Sequence, residues 1–293
     1  MQRIDITFVS QGERCGAWLY LPAGSAPFPC VILAHGLGAT REMRLDAYAT
    51  HFVEAGLAAL VFDYRGFGAS EGVPGLVEIS GLLADWAAAI AYARAHDKLD
   101  ARRIALWGTS LSGGHVIVTA ARTAGLAAVV STNPFTDGLT NLAAAKPLET
   151  LPLLGMAIKD WGKGWLKQPP ELMKIMGQPG ERALFASSSF AKNYQLLVPE
   201  SVPWANRISA RALLQLPFYR PITYAPRVQC PLLLCVGDHD SWDSPLAALK
   251  TAQAAPYGEV RHYDCDHYDF YVGPIFEQAV ADQTSFLVKN LLP

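Results

Sequence analysis

Five stretches of this chain are apolar almost without a break: CVILA, LAALVF, IALWG, LAAVVS and PLLLCVG. A strand apolar on both faces has to be covered on both, and a mostly parallel sheet between two helical layers achieves this. Helical patterns lie between the runs. The clearest spans 78–96, where Ile79, Leu82, Leu83, Trp86 and Ile90 recur at three- and four-residue spacings. Two strand-like segments, RIDITFVS and CGAWLYLPAG, precede the alternation, and the amphipathic run IFEQAVADQTSFLVKNL closes the chain. The rhythm stops between Asn133 and Pro226, where prolines, three tryptophans and short helical patterns replace the buried runs. The expected organisation is an α/β core made of 1–132 and 227–293, with a helical cap, 133–226, inserted in it.

The 293 residues are enough to bury a large core. Net charge is −2, and the 24 Lys and Arg residues are scattered, so no concentrated basic surface marks a nucleic-acid or anionic-membrane partner. No run reaches about 18 apolar residues, so no membrane span is expected. Polar residues occupy the start where a signal peptide needs an apolar centre, and the expected location is cytoplasmic. The five cysteines are odd in number and spread through strand-like runs, which fits reduced core thiols. No zinc-like spacing of His, Cys and Asp occurs, and neither a metal nor another cofactor is expected. A homo-oligomer is left open.

The run LWGTSLSGGHV, 106–116, joins a strand to a helix through Gly108-Thr109-Ser110-Leu111-Ser112. This is the G-x-S-x-G nucleophile elbow with its last glycine replaced by serine. A serine held on such a turn projects its hydroxyl above the sheet, and the tightness of the turn demands small residues two before and two after it. Ser112 meets that demand almost as well as glycine. A serine nucleophile needs a base and the base needs an acid, in the chain order Ser, acid, His. His267, in CDHYDFYVG before the closing helix, stands where the base belongs. Asp238, Asp240 and Asp243 share the loop after PLLLCVG, and Asp240 is favoured because it lies three past Gly237. Asp238 stays open as an alternative, and Asp137, after the preceding strand, is a further one. Two N–H groups must hold the oxyanion. Leu111, next to the serine, supplies one, and Leu37 in AHGLGA is chosen for the other.

These segments, with DYRGFGASEG at 63–72, resemble the α/β-hydrolase superfamily over essentially the whole chain. More narrowly the chain is similar to bacterial hydrolases labelled esterase-like or dienelactone-hydrolase-like, and to the fungal polyketide transferase and thiohydrolase group. The resemblance implies an α/β-hydrolase fold with a mostly parallel, eight-stranded sheet and an inserted cap. It also implies acyl chemistry at Ser110. Relatives often have a serine at the position of Ser112, but commonly carry Gly-Gly-His where this chain has Cys265-Asp266-His267. Asp266 puts a charge beside the base, and Cys265 either contacts the site or packs.

The insertion carries Met156, Trp161, Trp165, Met173, Met176, Phe185, Phe190, Tyr194, Trp204, Phe218 and Tyr219. Apolar residues at that density can line a pocket for an acyl chain or form the cap's own core. Trp161, Trp165 and Trp204, with Tyr268, are the expected pocket residues. The expected activity is cofactor-free hydrolysis of a small-molecule carboxylic ester or thioester through an acyl-enzyme on Ser110. Acyl transfer by the same residues is the alternative, and a non-catalytic ligand-binding protein on a hydrolase fold is a third reading.

Overall fold

In the computed structural model, residues 1–144, 147–186 and 197–292 are described. Phe190 and Tyr194 lie outside them. Eight strands form one sheet in the order β1-β2-β4-β3-β5-β6-β10-β11. The strands are β1 (Gln2–Ser10), β2 (Glu13–Leu21), β3 (Phe28–Ala34), β4 (Ala58–Phe62), β5 (Leu99–Thr109), β6 (Ala128–Thr132), β10 (Leu232–Gly237) and β11 (Gly258–Tyr263). β1 and β2 make an antiparallel hairpin, and β2 meets β4 antiparallel. From β4 to β11 every pairing is parallel. The five apolar runs are the five central strands. Cys30–Ala34, Ala58–Phe62, Ile104–Thr109, Ala128–Thr132 and Leu232–Val236 are buried throughout, as a sheet covered on both faces requires.

Helices α1 (Leu45–Glu54), α2 (Ile79–Ala95), α3 (Leu111–Arg122) and, later, Pro245–Ala254 and Gly273–Leu291 cover the sheet. All five cysteines are buried free thiols. No helix among the described residues is long and apolar enough to cross a membrane.

Between β6 and β10 the chain leaves the sheet. Helices α4 (Gly138–Ala144) and α5 (Pro147–Trp165) come first. A three-stranded sheet follows, built from β7 (Leu172–Gly177), β8 (Ala183–Ala186) and β9 (Arg207–Ser209) in the order β8-β7-β9. The insertion is therefore not only helical. Strands of six, four and three residues are too short for alternation to show above the apolar background. α5 is anchored by Asp160, whose buried carboxylate takes the Arg211 guanidinium at 2.9 Å and the backbone N–H groups of Glu171 and Arg211.

Candidate active site

β5 runs straight into α3, and Ser110 stands at the junction with φ 56° and ψ −122°. A positive φ on a non-glycine residue is strained and persists only where its surroundings hold it. Here the Ser110 N–H donates to the Thr132 carbonyl at 3.0 Å, and its own carbonyl accepts from Phe135 at 2.9 Å. Thr132 ends the neighbouring strand β6 and Phe135 lies three residues beyond it, so the edge of the sheet and the loop that leaves it hold the strain. The two turn arms nearly touch: a Cβ on Gly108 would lie 2.3 Å from the Ser112 carbonyl oxygen. That contact explains the small residues on either side of the serine.

Ser112, the departure from the motif, is fully buried and hydrogen-bonded. Its hydroxyl donates to the His35 carbonyl at 2.5 Å and contacts the Tyr64 hydroxyl. Trp86 Nε1–H donates to that same Tyr64 oxygen at 2.6 Å. Because indole can only donate and a carbonyl can only accept, the order is fixed: Trp86 to Tyr64 to Ser112 to His35. The extra hydroxyl thus ties the elbow to the His35–Leu37 loop. His35 braces the loop from within, its Nδ1 accepting the Gly36 N–H at 2.8 Å and its Nε2–H donating to the Met43 carbonyl at 2.9 Å. Burial pushes its pKa down to about 4, so the ring stays neutral. A Cβ on Gly36 would sit 2.9 Å from the Ser110 Cβ, so the loop lies directly on the serine. Leu111 is the first residue of α3, where an N–H has no intrahelical acceptor. Leu37 and Leu111 border the same cavity as Ser110.

His267 Nδ1 lies 2.8 Å from Asp240 Oδ2, and both side chains are almost fully buried. A carboxylate on Nδ1 holds the proton there and leaves Nε2 basic. Asp240 is itself fixed, its Oδ1 accepting the Trp242 and Asp243 N–H groups at 2.8 and 3.0 Å. Burial opposes a charge on His267, but the charge and hydrogen bond of Asp240, with Asp243 and Asp266 behind it, outweigh that cost, and its pKa is raised above 6.5. Burial and the Asp240 charge push the Asp243 carboxyl up to about 7. The alternative acids are engaged elsewhere. Asp238 meets His262 at 2.7 Å on the surface, and Asp137 takes Arg220 at 2.8 and 3.0 Å where the insertion begins. Asp266 acts on the imidazole through its charge and not through a hydrogen bond to the ring. Its Oδ1 accepts the His267 backbone N–H at 2.7 Å and the Ser241 N–H at 3.1 Å, joining the two loops. Cys265 is buried beside Gly237 and packs.

A cavity of about 1400 Å³ opens between the sheet and the insertion, bordered by Ser110, His267, Leu37, Leu111 and Tyr268. The family model described as serine aminopeptidase, S33, matches residues 25–265, which takes in the elbow, the Asp240 loop and most of both core segments. The chain belongs to this S33 hydrolase family. A quorum-quenching protein, AidA, of Acinetobacter baumannii is 43% identical over 99% of this chain and 95% of its own length. The thiohydrolase aneE of Aspergillus aculeatus is 24% identical over 97% of this chain and 92% of its own. The solved α/β hydrolase GrgF of Penicillium sp. superposes with a TM-score of 0.85 at 21% identity, covering 99% of each chain. That likeness shows the α/β-hydrolase fold.

In this S33 hydrolase Phe185 and Phe218 of the insertion border the cavity, and its three expected tryptophans do not. Trp161 and Trp165 are 53% and 74% exposed and do not border the cavity. They lie four apart on α5, so one outward turn exposes both. Trp204 also stands outside the cavity wall, its Nε1–H donating to the Gly38 carbonyl at 2.9 Å beyond the His35–Leu37 loop. Of the four expected pocket residues, Tyr268 alone borders the cavity. The insertion's share of the cavity wall is mostly apolar, with Leu153, Ile175, Met176 and Leu213 beside Phe185 and Phe218, and with Glu181 and Arg182 as charged members.

Three residues escaped the sequence reading. Trp242 stacks on His267 with centroids 5.5 Å apart. The Tyr271 hydroxyl donates to Thr109 at 2.6 Å, Thr109 donates to Asn133 Oδ1 at 2.9 Å, and Asn133 Nδ2 donates to the His267 carbonyl at 2.8 Å. Asn133 gave one signal: it follows a buried strand immediately, at the edge where sites form in parallel sheets.

Proposed function

We propose that this chain is a serine hydrolase that cleaves a carboxylic ester or thioester through an acyl-enzyme. Ser110 attacks the acyl carbonyl while His267 Nε2 takes its proton, and Asp240 holds the ring and stabilises the imidazolium. The Leu111 and Leu37 N–H groups receive the oxyanion. Collapse of the intermediate expels the alcohol or thiol, which takes the proton from His267. Water, deprotonated by the same ring, then releases the acid and frees Ser110.

The observation that carries this reading is the buried Asp240–His267 pair at 2.8 Å bordering one cavity with a serine held at φ 56°. The name of the thiohydrolase relative supports a thioester among the substrates, and the mostly apolar wall supports an apolar acyl chain. A fluorophosphonate probe tests it: wild type is labelled on Ser110 and loses esterase activity together with the label. Failure of wild type to label, or equal labelling of Ser110→Ala, removes the reading and leaves a non-catalytic binding protein. Adding an alcohol or amine acceptor and analysing products separates hydrolysis from acyl transfer.

A further inference from the structure

The proposed reaction uses Ser110, His267, Asp240 and two amides, and leaves one buried carboxyl on the cavity wall without a part in it. Asp243 is 8% exposed and borders the cavity. Glu181, the other acidic residue among the described members of that wall, is exposed and bound to Lys174 at 3.1 Å. Asp243 is held from two directions. Its N–H donates to Asp240 Oδ1 at 3.0 Å, and its own Oδ1 accepts from Asn141 Nδ2, on α4, at 2.8 Å. Asn141 borders the cavity as well. Asp243 Oδ2 takes no hydrogen bond from another described residue, and it is not among the polar atoms sealed away without a partner. What stays open of the carboxyl therefore opens on the cavity.

A latch between α4 and the core needs only one hydrogen bond, which an amide or an alcohol makes without burying a charge. Burial and the Asp240 charge hold the Asp243 carboxyl up at about 7, so the bond from Asn141 does not make good the lost water. A further donor at Oδ2 would. The surroundings set what that donor belongs to. Trp242, one residue earlier, stacks on His267, and the Asp243 charge is near enough to help raise the His267 pKa. A group bound at Oδ2 thus lies within a few bonds of the carbonyl that Ser110 attacks. Asn141, its Nδ2 committed to Asp243, keeps an oxygen that can only accept. The pair offers acceptors to a cavity whose insertion wall is mostly apolar.

We propose that Asp243, moored by Asn141, recognises a hydrogen-bond donor, O–H or N–H, that the substrate carries within a few bonds of its scissile carbonyl. This rests on the acyl-enzyme reading and narrows its substrate to a hydroxyacyl or amide-bearing ester or thioester. An analogue without the donor leaves a buried carboxylate unpaired, and that penalty is what rejects it.

Matched substrates test this at pH 8, where the carboxyl is ionised. Nitrophenyl esters with and without a hydroxyl at C2 or C3 of the acyl chain form one set. The second compares an N-acetylcysteamine thioester with the same acyl group on an alkyl thiol of equal length. In at least one set, wild type is expected to favour the donor-bearing member about 10- to 100-fold in kcat/KM, the worth of a hydrogen bond to a charged group. The set that shows it identifies where the donor sits. Asp243→Asn is nearly isosteric, and with Asn141 still donating to its oxygen it turns Nδ2 toward the cavity, a donor where the acceptor was. The preference is expected to fall to within about twofold. The ratio is taken within each variant, so a changed rate at His267 divides out, and fluorophosphonate labelling of Ser110 shows that the variant folds. A wild type that labels and turns over both members of each set within about twofold overturns the proposal. So does a preference that survives Asp243→Asn. Failure of wild type to label at Ser110 removes the acyl-enzyme reading itself, and this inference with it.

Discussion

The two walls of the cavity are built on different physical terms. On the core side two chains of directed hydrogen bonds run beside Ser110 and end on the loops that follow the strands: Tyr271 to Thr109 to Asn133 to the His267 loop, and Trp86 to Tyr64 to Ser112 to the His35 loop. On the insertion side the wall is mostly apolar, and the hydrogen bonds that tie the insertion to the core are made largely by residues outside the lining, such as Ser209 to Val77, Gln215 to Ile79 and Trp204 to Gly38, with Asn141 to Asp243 at 2.8 Å on the lining itself. Directed bonds fix atoms to fractions of an ångström, as proton transfer and oxyanion binding need. Non-directional packing fixes only a volume, which is what an acyl chain needs. The contrast teaches that position is specified on one wall and shape on the other.

If so, the largest effects should come from the core wall and should appear in kcat. Asp240→Asn keeps the shape but no longer holds the His267 proton on Nδ1. It is expected to lower kcat about 10⁴-fold with little change in KM, measured on a nitrophenyl ester. Ser112→Ala removes a donor to a buried carbonyl of the His35 loop. A loss of about 1–3 kcal/mol of stability by denaturant titration is expected, together with a fall in kcat of roughly tenfold as the Leu37 N–H loses its placement. An Ala variant with unchanged kcat would show that the hydroxyl holds the fold alone and not the oxyanion loop.

Substitutions in the insertion wall should act on substrate preference instead. Leu153→Ala and Ile175→Ala are expected to shift the ratio of kcat/KM between long and short acyl esters by about tenfold, the worth of a methylene or two. The smallest effect concerns pH. His267 must be neutral to accept the serine proton, and its pKa is raised above 6.5 by Asp240 and the carboxylates behind it. The rate is therefore lost as pH falls, with the midpoint of kcat/KM above 6.5, and Asp243→Asn should move that midpoint down.

The same contrast explains what could be read in advance. The parallel sheet was legible because five strands buried on both faces are apolar on both, and the elbow because its turn restricts residue size at fixed offsets. Choosing among the loop aspartates was harder. Asp238 and Asp240 sit two apart after one strand, and His262, on the neighbouring strand, occupies the first; that depends on a register between segments distant in sequence. The insertion was least legible. α5 is apolar on two faces, so periodicity could not say that Leu153 turns inward while Trp161 and Trp165 turn out. The short strands β7 to β9 left no pattern of their own. Trp242 and Asn133 lie next to recognisable segments but carry no spacing rule that points to them.

The claim beneath all of this is that Ser110 takes the acyl group. Intact-mass measurement after rapid mixing with an activated ester of a slowly released acid tests it most directly. The account predicts a transient gain equal to the acyl group, mapped by peptide digestion to Ser110 and absent in Ser110→Ala. Turnover of the ester with the adduct on another residue, or undiminished turnover by Ser110→Ala, would contradict it.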